Sequence, residues 1–340
     1  MRAKSSLLIS CVVCCIFASA QKTISVLSGG TWTFYSDFST AISQCSAGST
    51  IYLPGGNFTI SHGQDTIDKP LTLLGVGFYP DSTIATYGTA LSGELILAQG
   101  ANNVFISGVK IDNIRPPYSG QHVVTNVTVS RCRINQVSTS ANNDQCLIKN
   151  LSINESIVGA VIGSGNYDLD LVVSNSIVIG WSAPHLNALF KNCLLFYTVG
   201  CNGCSWLNFN HTIFENNVIF NFTQSNTGYC SFRNNLILSG DTSCSYCSEF
   251  YHNKFGIQSS TFVNCPTAAF DYSYDYHIVN SSPGRNAGSD GTDVGIYGTS
   301  FPYKSGLVPA NPHLSTKSIS PSSLPNGTLP VNIRVIAQDR

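Results

Sequence analysis

One short pattern returns eight times between Asn102 and Gly256, and it restricts what this chain can fold into more than any other feature of the sequence. The segments read VFISGVKI, VTVSRCRI, LSINESIV, LVVSNSIV, ALFKNCLL, TIFENNVI, CSFRNNLI and EFYHNKFG. Their fifth residues are Gly108, Arg131, Glu155, Asn175, Asn192, Asn216, Asn234 and Asn253, separated by 17 to 24 residues. A strand-bearing unit of that length cannot bury its apolar face alone, so such units stack into a solenoid. An array of β-hairpins would need turn dipeptides such as Asn-Gly between strand pairs, and these are scarce here. A leucine-rich repeat would need leucine at fixed positions and a helical return segment.

Within each segment apolar and polar residues alternate, the period of a strand with one buried face. Ile106, Val129, Ile153, Val173, Phe190, Phe214, Phe232 and Tyr251 are therefore expected to point inward. The fifth residue sits at a bend, and stacking is expected to set Asn175, Asn192, Asn216, Asn234 and Asn253 above one another as a ladder, each amide donating to the next. Gly108, Arg131 and Glu155 replace asparagine in the early coils, where the two charged residues either reach solvent or pair. Two residues further on, Ile157, Ile177, Leu194, Val218 and Leu236 make an outward apolar stripe. A stripe of that kind calls for cover by another part of the chain or by a partner, unless the phase is one residue off.

Residues 1–20 have the layout of a secretory signal peptide: Arg2 and Lys4, an apolar run from Leu7 to Phe17, and cleavage near Ala20 after Ala18-Ser19. A lipoprotein signal ending at Cys11 is the alternative. No later stretch is long and apolar enough for a membrane anchor, so the mature chain is expected to be secreted, periplasmic or on the cell surface. Three of the 13 cysteines fall in that segment. The rest, Cys45, Cys132, Cys146, Cys193, Cys201, Cys204, Cys230, Cys244, Cys247 and Cys265, are an even number, which in an oxidising compartment favours disulfides. The competing reading is a zinc site built from Cys201, Cys204, Cys244 and Cys247. Cys132 and Cys193 share an inward phase, as small buried hydrophobes or as bridges between coils. Near the start, Ser36 is placed to cap a short helix carrying Phe38, Ala41, Ile42 and Cys45 on one face, a plug for the open end of the stack.

AISQCSAGSTIYLPGGNFTI followed by TIDKPLTLLGVG resembles the opening coils of right-handed parallel β-helix proteins of the pectin-lyase-like superfamily. SSPGRNAGSDGTDVGIYG, Ser281 to Gly298, resembles the closing segment of exported bacterial members. The resemblance implies an all-β, right-handed parallel β-helix over residues 21–300, behind the signal at 1–20 and a short N-terminal capping helix. A Ser- and Pro-rich tail, 301–340, with one late strand over Val331 to Ala337, is expected to pack along it. The resemblance is specific for fold and not for activity, since the superfamily includes lyases, hydrolases and adhesins.

The formal net charge is −1, and 10% of residues are charged, which argues against a nucleic-acid partner. Lyases of this fold hold calcium with acidic residues and use a Lys or Arg base, while the hydrolases cluster carboxylates. The hydrolase signatures Asn-Thr-Asp, Asp-Asp, Gly-His-Gly and Arg-Ile-Lys are absent from the sequence, so no catalytic residue is assigned. Lys110, Arg131, Arg133 and Lys149 are the candidate basic platform for an acidic glycan, against the plain alternative of solvated charges. Lys191, Glu215, Arg233 and His252 alternate in sign up one face as expected of mutual ion pairs. Asp290 and Asp293 are the calcium candidates, with turn stabilisation as the alternative; Asp168 and Asp170 are read as surface residues. Phe105, Phe250, Trp181, Trp206, Tyr272, Tyr274 and Tyr276 are aromatic candidates for stacking on sugar rings, with packing as the default. Eight Asn-X-Ser/Thr sequons, at Asn57, Asn126, Asn150, Asn154, Asn210, Asn221, Asn280 and Asn326, matter only in a eukaryotic secretory route. The expected role is structural, adhesive or glycan-binding, with a polysaccharide or cell-surface glycan as partner. The alternative is a lyase or glycoside hydrolase acting on an acidic glycan.

Overall fold

The computed structural model describes residues 22–141, 145–163, 170–180, 182–183, 188–199, 212–223, 230–245 and 247–338. Period-two segments separated by two-residue bends cannot continue in one sheet, so the chain alternates between two. Among the described residues one sheet has 13 strands and the other 11, and the long runs in both are parallel. Phe105–Ser107, His122–Ser130, Cys146–Asn154, Leu171–Ser174, Ala188–Lys191, Ile213–Glu215 and Ser231–Arg233 follow one another in the first. Lys110–Arg115, Arg133–Ser138, Ile157–Ile162, Ile177–Val178, Leu194–Val199, Val218–Phe222 and Leu236–Ile237 follow in the second. Each coil thus supplies one strand to each sheet, a solenoid-like, all-β arrangement.

Register puts like above like. Val129 pairs with Ile153, Ile153 with Val173, Val173 with Phe190, Phe190 with Phe214 and Phe214 with Phe232, all fully buried. Across the core they meet Ile134, Val158, Val178, Leu195, Ile219 and Ile237. The phenylalanines stack with ring centroids 5.3 and 4.6 Å apart.

The bend explains the recurring asparagine. A two-residue corner needs a left-handed backbone, and Asn175, Asn192, Asn216 and Asn234 have φ of 46°, 54°, 58° and 54°. Asparagine tolerates that region better than most residues, and Gly108 (φ 71°) occupies it freely. The amide column itself lies one residue later, turned into the core: Asn217 Nδ2 donates to Asn235 Oδ1 (3.0 Å), and Asn235 Nδ2 to Asn253 Oδ1 (3.0 Å). In earlier coils Ser156 and Ser176 occupy that place, where the Ser176 hydroxyl accepts from the Ser156 main chain.

The last coil departs from the expected phase. Phe232 pairs with Phe250 and Arg233 with Tyr251, and His252 takes the left-handed corner at φ 54°. Phe250 therefore turns in and Tyr251 is 43% exposed, because a one-residue slip exchanges the two faces of a strand. Asn253 consequently belongs to the inner column and not to the corner row.

The N-terminal end is closed as a plug. Helix α1 (Phe38–Gln44) buries Phe38, Ala41 and Ile42, and its N-cap is Asp37, whose carboxylate accepts from Thr40 N at 2.8 Å, one residue beyond the expected Ser36.

The apolar stripe is covered. Ile157, Ile177, Leu194, Val218 and Leu236 form a second cluster with Phe262, Ile278, Val294, Ile296, Tyr303 and Leu307. Burying five aliphatic side chains stabilises by about 1.5–3 kcal/mol each, which is why the stripe persists in the sequence. The cover comes mainly from residues ahead of the tail, and it runs back across the corners as a strap. Asn234 Nδ2 donates to Ala287 O (3.2 Å), Asn216 exchanges bonds with Ser289, and Asn175 Nδ2 donates to Ile296 O (3.3 Å). The corner amides thus hold the strap and not one another. Beyond it, His313–Ile319 pairs antiparallel with Val331–Ile336, so the late strand has a partner the sequence reading missed.

Among the described residues Cys244 and Cys247 form a disulfide, whereas Cys45, Cys132, Cys146, Cys193 and Cys265 are free and buried, and Cys230 is buried. Cys201 and Cys204 lie outside the described residues, as does the expected signal segment.

Candidate functional site

The four basic residues do not assemble. Lys110 and Arg133 are register partners on the second sheet, but Lys149 lies on the first, opposite Thr125. Arg131 is 3% exposed; its Nε pairs with Glu155 at 2.7 Å and its Nη1 donates to Val308 O and Gln338 O, both at 2.8 Å. It is a clamp between the corner and the returning chain. Arg133 lies 5.4 Å from the Tyr272 ring and donates to its hydroxyl.

Within the alternating stripe Lys191 pairs with Glu215 at 3.0 Å, whereas Arg233 turns its Nε to Glu249, outside the stripe, at 2.6 Å, and His252 leaves the row for the left-handed corner. Burial pushes the Glu215 carboxyl up, but hydrogen bonds from Lys191 and Ser289 outweigh it and hold the group below its ordinary value. Asp290 accepts from the Thr292 main chain and hydroxyl, and Asp293 from Arg285 and the Asn286 main chain. Among the described residues no three His, Cys, Asp or Glu groups gather as metal ligands. No helix among them is long and apolar enough to cross a membrane. Asp168, Trp181 and Trp206 lie outside the described residues. Asn126 and Asn150, two of the sequon asparagines, continue a surface ladder from Asn103, with amide bonds of 3.1 Å at both steps.

Two concavities among the described residues bear on function. The larger, about 790 Å³, is a trough on the outer face of the first sheet. Its floor is Thr72, Phe105 and Thr128 in one row and Leu74, Ser107, Ser130, Asn154 and Ser174 in the next. Parallel pairing repeats these groups about every 4.8 Å along the stack. The returning chain supplies the other wall, with Phe301 (65% exposed), Ala310, Asn311 and Pro312. Its charged lining residues, Arg131 and Glu155, neutralise each other. The floor was legible in the repeat, since the fourth residue of the first four segments reads Ser107, Ser130, Asn154 and Ser174. Phe301 was not, because only the strap brings it there.

The smaller concavity, about 480 Å³, opens between the strap and the second sheet, lined by Tyr79, Tyr272, Tyr297 and Tyr303 with Asp81, Asp275 and His277. Tyr272, Tyr274 and Tyr276 of the sequence reading all line it. Tyr79 and Tyr297, far away in sequence, could not be assigned without the fold.

No family model, curated protein or solved structure matches the chain. What the fold and its concavities define is a class: an all-β, solenoid-like scaffold with a strap that builds one wall of each depression.

Proposed function

We propose that the chain is an exported right-handed parallel β-helix of the pectin-lyase-like kind that binds a glycan along the trough without transforming it. Right-handed winding follows from the strong preference of parallel strand crossovers for that hand. The observation that carries the binding role is the trough floor of hydroxyl and amide groups in register across successive coils, bounded by Phe105 and Phe301. Polyhydroxylated chains need acceptors and donors at regular spacing together with apolar ring faces. Because Arg131 and Glu155 are bound to each other, the lining suits a neutral chain. A hydrolytic role would need two working carboxylates, and the trough's Glu155 is held by Arg131 at 2.7 Å.

Titrating the mature secreted protein calorimetrically with neutral and acidic polysaccharides tests the reading. A neutral glycan is expected to bind, with at least a tenfold loss in Phe301→Ala and no release of reducing ends. Reducing ends or unsaturated products, or binding indifferent to Phe301→Ala, would overturn it.

A further inference from the structure

The smaller cleft has a chemistry distinct from that of the trough. Its walls are tyrosines at fixed angles: Tyr79 meets Tyr272 edge-on with centroids 4.7 Å apart, and Tyr297 meets Tyr303 edge-on at 5.9 Å. His277 stacks flat on Tyr297 at 3.7 Å and its Nδ1 lies 2.6 Å from Asp275 Oδ1. Burial pushes the Tyr79 phenol up to about 12 and raises those of Tyr297 and Tyr303 as well, so these three are neutral. Negative charge in the cleft therefore comes from Asp81 and Asp275. Burial pushes the Asp275 carboxyl up, but bonds from the His277 main chain and ring outweigh that and keep it ionised at neutral pH. No lysine or arginine lines the cleft, and the neighbouring Arg133 is engaged with Tyr272.

One phenol hydroxyl of the cleft lacks what the others have. The Tyr79 hydroxyl donates to Tyr272 O at 3.1 Å and the Tyr297 hydroxyl lies 3.4 Å from Ser305 Oγ. Tyr303, which lines the same cleft, is 5% exposed, and its hydroxyl has no hydrogen-bond partner. An orphaned buried hydroxyl costs about 1–3 kcal/mol, so a group that bonds to it is favoured by that margin. Ring faces attract cations, carboxylates attract them more, and the phenol oxygen is free to accept. Acceptors gathered around aromatic faces, with no fixed cation among them, select a positively charged donor small enough for the space.

We propose that this cleft binds a small organic primary ammonium ion, its N–H groups donating to Asp275, Asp81 and the Tyr303 hydroxyl while its stem lies against the tyrosine faces. The ammonium could be carried by an amino sugar or by a simple alkylamine. Calorimetry or chemical-shift titration of the full chain with glucosamine, ethanolamine, glucose, N-acetylglucosamine and tetramethylammonium, at neutral pH and low salt, separates these cases. At least one primary amine is expected to bind at least tenfold more tightly than glucose, N-acetylglucosamine or tetramethylammonium. Preference for glucosamine identifies a sugar-borne amine, and parity with ethanolamine identifies the ammonium alone. Asp275→Asn and Asp81→Asn are each expected to weaken binding about tenfold, and Tyr303→Phe severalfold. Tyr303→Phe removes the hydroxyl and leaves the ring in place, so its melting temperature should not fall, which separates loss of binding from loss of fold. Equal binding of glucose or tetramethylammonium, binding indifferent to all three substitutions, or no binding of either amine would overturn the proposal. Phe301→Ala should leave amine binding intact, because the trough is a separate depression.

Discussion

Asn235→Ala is the sharpest test of where the stack is held together. The Asn235 side chain is fully buried and makes four hydrogen bonds: its Oδ1 accepts from Asn217 N (2.9 Å) and Asn217 Nδ2 (3.0 Å), and its Nδ2 donates to Phe214 O (2.9 Å) and Asn253 Oδ1 (3.0 Å). At about 1 kcal/mol net for each neutral bond, the loss is about 4 kcal/mol. It exceeds that if the Asn217 amide and Phe214 carbonyl stay dry, since an unsatisfied buried group costs about 1–3 kcal/mol. The neighbouring corner residue is the control. Asn234→Gly loses one bond, to Ala287 O at 3.2 Å, and its φ of 54° suits glycine, so it should cost no more than about 1 kcal/mol. Urea unfolding of both variants, compared through midpoints at constant m, measures the difference. If Asn235→Ala costs under about 1 kcal/mol, or less than Asn234→Gly, the inner column is not what binds the coils.

Phe214→Ala should cost about 3–5 kcal/mol in the same assay, because it empties the middle of the Phe190–Phe214–Phe232 stack; a cost near zero would mean that the rings are not stacked. Arg131→Met strands Glu155 and frees Val308 and Gln338, so it should destabilise by up to about 3–5 kcal/mol and speed protease cleavage beyond Tyr297; unchanged cleavage would count against the clamp. Glu215 has a folded value below the ordinary carboxylate range, so its contribution is present above about pH 4.3 and is lost as pH falls through that lower value. The protection factor of the Ser289 amide, taken against its intrinsic exchange rate at each pH, should fall on acidification, and Glu215→Gln should flatten that dependence. Burial pushes the Cys132 and Cys193 thiols to about 12, so alkylation at pH 8 should label them only after unfolding; rapid native labelling would contradict their place in the core.

The repeat was legible because its cause is local. Alternation fixes which side of a strand is buried, and a two-residue corner demands a left-handed residue, so Asn175, Asn192, Asn216 and Asn234 announce the coils before any fold is known. The role of those amides was not legible, since each binds a strap residue more than fifty positions further on. The need to cover Ile157, Ile177, Leu194, Val218 and Leu236 could be read from the sequence; the identity of the cover could not, because Val294 and Ile296 sit in a segment rich in glycine and aspartate. Asn253 and Tyr251 were placed a residue out of phase because EFYHNKFG keeps an asparagine at the fifth position while its inward aromatic has moved to the second. Arg131 and Arg133 look equivalent in sequence, yet one is a buried clamp and the other lies against Tyr272.

Most stacked-unit proteins gain or lose units readily, since each touches only its neighbours. That freedom is curtailed here. Each added coil lengthens the stack by about 4.8 Å, whereas an extended residue spans at most about 3.3–3.6 Å, so every inserted coil would need one or two more residues between Ala287 and Val308 to keep the same anchors. Coil number and strap length are therefore tied, and descendants of this chain should change both together or neither.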